Sequence, residues 1–97
     1  MFAAVRQYEL GAGTVDELLV AIEELAEEIR ELPGFVSYQV IASGSDEIVT
    51  VSVFEDEVSA SRSTELAMAF LDHLDRFEIR PTSAMSGRVA RIEPALV

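Results

Sequence analysis

Phe2, Ala4, Tyr8 and Leu10 alternate with Ala3, Val5, Gln7 and Glu9, and this period of two predicts a strand over 2–10 with Arg6 as its polar interruption. Gly11-Ala12-Gly13 ends it. Thr14 followed by Glu17 has the spacing of a capping box, in which the hydroxyl takes the amide of residue 17 and the carboxylate reaches back to the amide of residue 14. Val15, Leu18, Leu19, Ile22, Leu25, Ala26, Ile29 and Leu32 then recur on one helical stripe, so a single helix is expected until Pro33-Gly34 stops it. Segments 35–42 and 48–54 read as strands joined by the turn formers Ser43-Gly44-Ser45-Asp46. Asp56 is placed to cap a second helix with the stripe Ala60, Leu66, Ala67, Phe70, Leu71 and Leu74, fading near Phe77. After a loop around Pro81, residues 84–92 give a weaker strand signal and 93–97 read as a tail.

The resulting order, β-α-β-β-α-β, is that of a ferredoxin-like α+β fold: an antiparallel sheet with two helices on one face. Right-handed crossovers put both helices on the same side and leave the other side bare. On the third strand Val49, Val51 and Val53 point one way while Ile48 and Phe54 point the other, so both faces carry apolar groups. Exposed apolar surface costs about 25 cal/mol per Å². The sheet is therefore expected to pair with a second copy through its open face, giving a homodimer. The length of 97 residues fits one domain, ordered over about 2–92, with one core.

Charge narrows the partners. Eighteen Asp and Glu stand against seven arginines and no lysine, a net charge of −11. This much carboxylate repels phosphate backbones and anionic lipid, so neither nucleic acid nor membrane is an expected partner. Acidity without lysine is also what a saline cytoplasm favours, because salt screens self-repulsion. No cysteine is present, which excludes disulfides and thiolate metal sites. No apolar run approaches membrane-spanning length and the first residues lack a signal-peptide pattern, so the expected location is cytoplasmic. Glu23, Glu24, Glu27, Glu28 and Glu31 form a run without the spacing of a metal loop and read as a solvated helix face.

Leu32-Pro33-Gly34-Phe35-Val36-Ser37-Tyr38 resembles the Pro-Gly-Phe-x-x-Tyr segment of the antibiotic biosynthesis monooxygenase domain family, one of the dimeric α+β barrels. Val51-Ser52-Val53-Phe54-Glu55-Asp56 is similar to the family's strand ending in an aromatic before acidic helix-capping residues. The resemblance covers about residues 2–92 and implies an apolar pocket between helices and sheet. In the family's cofactor-free chemistry a phenol or enol loses a proton, and the anion reacts directly with oxygen in a dry cavity. The haem-degrading branch uses an asparagine, a tryptophan and a histidine; the matching positions here are Arg6, Ser63 and His73. Only the histidine is kept, so no cofactor is expected, haem included.

His73 is the one histidine, a candidate general base or axial ligand, or else a boundary residue partly in water. Arg6 is a second catalytic candidate, directed at a pocket anion or carried at a sheet edge with its guanidinium in solvent; the edge placement is the expectation. Tyr38, Phe54, Ser63 and Phe70 are candidate pocket residues: Tyr38 and Tyr8 as hydrogen-bond donors, the phenylalanines as walls or core, and Ser63 as space where the family can hold a large ring. Two functions follow: a cofactor-free monooxygenase acting on an apolar or phenolic substrate, or a non-catalytic dimeric module of the same fold that binds a ligand or serves a structural role.

Overall fold

The computed structural model describes residues 1–93. Strands β1 (Phe2–Leu10), β2 (Phe35–Ser43), β3 (Glu47–Phe54) and β4 (Ile79–Arg88) form one antiparallel sheet in the order β2-β3-β1-β4. Helices α1 (Val15–Ala21) and α2 (Glu23–Arg30) follow β1, and α3 (Glu57–Asp72) follows β3. This is the ferredoxin-like arrangement that the element order predicts. The tail expected over 93–97 lies outside the described residues except for Glu93.

The stripe read as one helix is two. At Ile22 the backbone (φ −95°, ψ 9°) leaves helical geometry, and α2 restarts at Glu23. Neither proline nor glycine sits at the break, so residue identity gives no sign of it. The apolar stripe continues across it, with Leu18, Ile22, Leu25 and Ile29 all buried. The capping box forms by half. Thr14 accepts the amide of Glu17 at 3.2 Å, but its hydroxyl donates to the Glu17 carboxylate at 3.0 Å, and that carboxylate does not cap Thr14 in return. Asp56 caps α3 as expected, accepting the amide of Ser59 at 2.8 Å.

At the exit of α2, Gly34 adopts φ 72°, and a Cβ there would come within 2.8 Å of an Asp56 carboxylate oxygen. Its carbonyl accepts the amide of Glu55 at 2.7 Å, joining the Pro-Gly turn to the end of β3. A side chain at 34 would meet both a disfavoured backbone region and a close neighbour.

β4 begins earlier than its sequence signal. It spans Ile79–Arg88 and contains Pro81, which was expected in a loop. An edge strand tolerates the missing N–H. The β1–β4 register shifts between Gln7 and Tyr8, so that Gln7 faces Ser83 but Tyr8 faces Pro81. Thr82 is the extra residue, and its hydroxyl donates to the Gln7 carbonyl at 3.2 Å.

The alternation on β1 and β3 decides what each face carries. Ala4, Arg6, Tyr8 and Leu10, with Ile48, Thr50, Ser52 and Phe54, are buried under the helices. Ala3, Val5, Val49, Val51 and Val53 lie on the opposite face, joined at its margins by Ile41 (48% exposed) and Met85 (67% exposed). The bare apolar face anticipated from β3 is thus a property of the whole sheet.

Candidate functional site

Arg6 is the central feature of the helix-covered side. β1 is an interior strand, flanked by β3 and β4, so the expectation of an edge arginine with a solvated head is overturned. Its position in the alternation turns the side chain under α3, and Arg6 is 0% exposed. Nε donates to Thr50 Oγ1 at 3.0 Å, Nη1 to Ser63 Oγ at 3.2 Å and Thr64 Oγ1 at 2.9 Å, and Nη2 to Ser52 Oγ. All four acceptors are hydroxyls. Among the described residues no carboxylate pairs with Arg6; the ion pairs join Arg80 to Glu9 and Arg91 to Glu93 at the surface. A buried guanidinium stays protonated and is normally compensated by an anion. Burial lowers the pKa of Arg6, with Tyr8 and then Tyr38 opposing the shift.

Tyr8 lies two residues along the same face of β1. It is also 0% exposed, and its hydroxyl is the one buried side-chain polar atom without a partner of good hydrogen-bond geometry among the described residues, although it lies close enough to Arg6 for a hydrogen bond between the two to oppose the shift that burial gives each. Its ring forms part of the wall of a cavity of about 380 Å³, completed by Met68, Ala69, Leu71 and Asp72 of α3 with Ile79 and Pro81 of β4. The volume lies in the range of small-molecule sites. On the other side of the arginine, a second cavity of about 290 Å³ is bounded by Ser61, Thr64, Ala84, Met85 and Ser86. Arg6 therefore sits beneath the seam between α3 and β4, with a cavity toward either end.

Burial raises the pKa values of both Tyr8 and Tyr38, and the charge of Arg6 partly opposes each shift. An unfolded chain ionises these tyrosines near 10.0, whereas the folded chain holds them neutral to higher pH. Their contribution to stability is present below pH 10.0 and is lost as pH rises toward the folded values. Because the chain has two tyrosines and no tryptophan, tyrosinate absorbance reads this pair alone. An alkaline titration should show both groups ionising later in folded than in denaturant-unfolded protein.

The other sequence candidates separate. Ser63 is buried, but the space it leaves is filled by the Arg6 guanidinium; its hydroxyl also donates to the Ala60 carbonyl at 2.6 Å. Phe54 is a core residue, packed edge-to-face on Phe35 at 5.9 Å, and is not a cavity wall. Phe70 is half-buried against the core and bounds neither cavity. Tyr38, half-buried on β2, faces Ser52 across the ladder and belongs to the electrostatic surroundings of Arg6. His73 is exposed at the C-terminal cap of α3, and its Nδ1–H donates to the Ala69 carbonyl at 2.7 Å. It forms part of neither cavity, and α3 presents Met68, Ala69, Leu71 and Asp72 there in its place.

Thr50, Ser52 and Thr64 were not identified from the sequence. A signal was present, since Thr50 and Ser52 alternate with three valines and must face the helices alongside Ile48 and Phe54. Knowing that they meet Arg6 requires the register, which pairs Arg6 with Thr50.

A two-helix-derived layer over an antiparallel sheet, with a cavity between them, defines a class of small α+β domains rather than one protein. Residues 1–76 match the antibiotic biosynthesis monooxygenase family, and the chain belongs to it. Among solved structures, SnoaB, a cofactor-independent oxygenase from Streptomyces nogalater, aligns with a TM-score of 0.73 at 15% identity over 97% of each chain. Protein Atu4242 from Agrobacterium tumefaciens aligns with a TM-score of 0.56 at 25% identity over 99% of this chain and 100% of its own. Rv0793 from Mycobacterium tuberculosis gives 0.66 at 12% identity over 96% and 99%. No curated protein matches the chain. The family match stops before β4, the strand that supplies Ile79 and Pro81 to the larger cavity.

Proposed function

We propose that this protein is a cofactor-independent monooxygenase that oxidises an apolar, phenolic or enolisable ring compound in the cavity between α3 and the sheet. The observation that carries this reading is the cavity of about 380 Å³ under α3 whose sheet-side wall includes Tyr8, the buried neighbour of the uncompensated Arg6 charge. Its walls of Met68, Ala69, Leu71, Ile79 and Pro81 suit a flat hydrocarbon body, and Tyr8 and Asp72 are its polar residues. Family membership and the likeness to a cofactor-independent oxygenase favour this chemistry.

Oxygenation without a cofactor requires the substrate to be the reductant. A ring methylene activated by an adjacent carbonyl loses a proton to give an enolate, and the electron-rich carbon adds O₂. Loss of water then leaves a carbonyl, so that CH₂ and O₂ become C=O and H₂O with no external electrons. The protein's part is to exclude water and stabilise the oxyanion, here through Tyr8 and the positive charge of Arg6. At about 4 Å and an effective dielectric of about 20, one such charge contributes on the order of 4 kcal/mol.

The residues do not fit haem. The family-matched histidine is exposed outside the cavity, and the position of the family's ring-distorting tryptophan is a buried serine bonded to Arg6. Binding chemistry therefore rests on Arg6 and Tyr8.

Anthrone, an apolar tricyclic ketone with an activated methylene, is a suitable probe. Protein freed of metal and flavin should consume one O₂ for each anthraquinone formed, saturably and above the buffer rate. His73→Ala should leave that turnover within about twofold, because its ring lies outside the cavity. Uptake that appears only after adding flavin, iron or haem would refute the reading.

A further inference from the structure

Oxygenation of a ring methylene begins with the loss of a proton, and a base has to take it. Neither Arg6 nor Tyr8 can. A guanidinium stays protonated in a protein, and the Tyr8 hydroxyl, which ordinarily ionises near 10.0, is held neutral to higher pH by burial. His73 lies outside the cavity. Around the cavity of about 380 Å³ the apolar walls offer no side chain that takes up a proton, and Asp72 is the one wall residue that carries a carboxylate.

Its place in the fold suits that task. Asp72 ends α3 one helical turn beyond Met68, which puts the two on one flank of the helix with Cβ atoms about 5–6 Å apart. A ring resting on Met68 therefore brings its edge toward the carboxylate. Among the described residues the ion pairs join Arg80 to Glu9 and Arg91 to Glu93, so no arginine occupies Asp72. Asp72 is also exposed, which lets its proton exchange with solvent between turnovers. We infer that Asp72 is the general base of this site, deprotonating an activated ring carbon at the mouth of the cavity. The carboxylate takes one methylene proton and the C–H electron pair stays on the ring as the enolate. That pair reduces O₂ to a carbon-bound peroxide, which regains a proton and loses water to leave the carbonyl. This inference rests on the proposed oxygenase reading, yet its first step needs no oxygen and is tested alone.

Anthrone in D₂O without oxygen is the probe, with exchange of its methylene hydrogens followed by mass spectrometry. Wild-type protein should exchange them saturably and above the buffer rate. Asp72→Asn, a nearly isosteric change on an exposed residue, should slow exchange at saturation by about 10²-fold or more, the usual share of a general base. Anthraquinone should still bind that variant within about threefold of wild type, because the apolar walls are unchanged. Asp72→Glu, which restores a carboxylate, should recover part of the rate. Exchange no faster than buffer with wild type, undiminished exchange with Asp72→Asn, or a loss that follows weakened anthraquinone binding would overturn the inference. Exchange that depends on Asp72 without oxygen uptake in air would instead overturn the oxygenase reading and leave the base assigned.

Discussion

Arg6→Met should reduce anthrone turnover by about 10²- to 10³-fold, the usual consequence of removing one charge-stabilising donor from an oxyanion site. The same substitution should cost folding stability about 1–3 kcal/mol, because Arg6 is 0% exposed and its removal leaves the buried Thr50 and Ser52 hydroxyls without the donor they now accept from, a cost offset in part by no longer burying a charge. Two of the hydroxyls have other recourse: Ser63 already donates to the Ala60 carbonyl, and Thr64 is half-buried beside a cavity. A residue kept for architecture would show the reverse, a large loss of stability with activity falling only as the folded fraction falls. Denaturant titration beside oxygen uptake separates the two outcomes.

Val51→Glu should dissociate the proposed homodimer, raising its dissociation constant about a thousandfold, or roughly 4 kcal/mol. Val51 lies on β3, facing Val5 of β1 and Gln39 of β2, near the middle of the bare face. Ala3, Val5, Val49 and Val53 surround it, and a carboxylate buried among them in a paired sheet would lack any partner. Light scattering should give a dimer mass for the wild type and a monomer mass for the variant at micromolar concentration. Two subunits of −11 each repel, so the wild-type dimer should tighten as salt is added. A monomeric wild type would remove this proposal while leaving the cavity under α3 unaffected.

Much of the fold was legible because its signals are local. Alternation in β1 and β3, the Asp56 cap and the Pro33-Gly34 stop each depend on a few consecutive residues, and each appears where its pattern places it. The break at Ile22 and the early start of β4 were not. The first has no proline or glycine to mark it, and the second depends on the tolerance of an edge strand for Pro81. The site was less legible for a related reason. Whether Arg6 points to solvent depends on whether β1 is interior or at an edge, a question of strand order that no window along β1 can answer. Likewise, Thr50 and Ser52 on β3 and Ser63 and Thr64 on α3 become one set only when the sheet and helix are assembled. His73 stands out in the sequence as the one histidine, yet its place at the end of α3 leaves it outside the cavities beside Arg6.

The division of labour between the two faces of the sheet is the central claim, and a crystal structure of the protein with anthraquinone tests it most directly. The rings should lie between α3 and β4, against Met68, Leu71 and Pro81, with one carbonyl oxygen within hydrogen-bonding distance of the Tyr8 hydroxyl and directed toward Arg6. Rings bound on the valine face, or in the cavity with both carbonyls turned away from Tyr8 and Arg6, would contradict it.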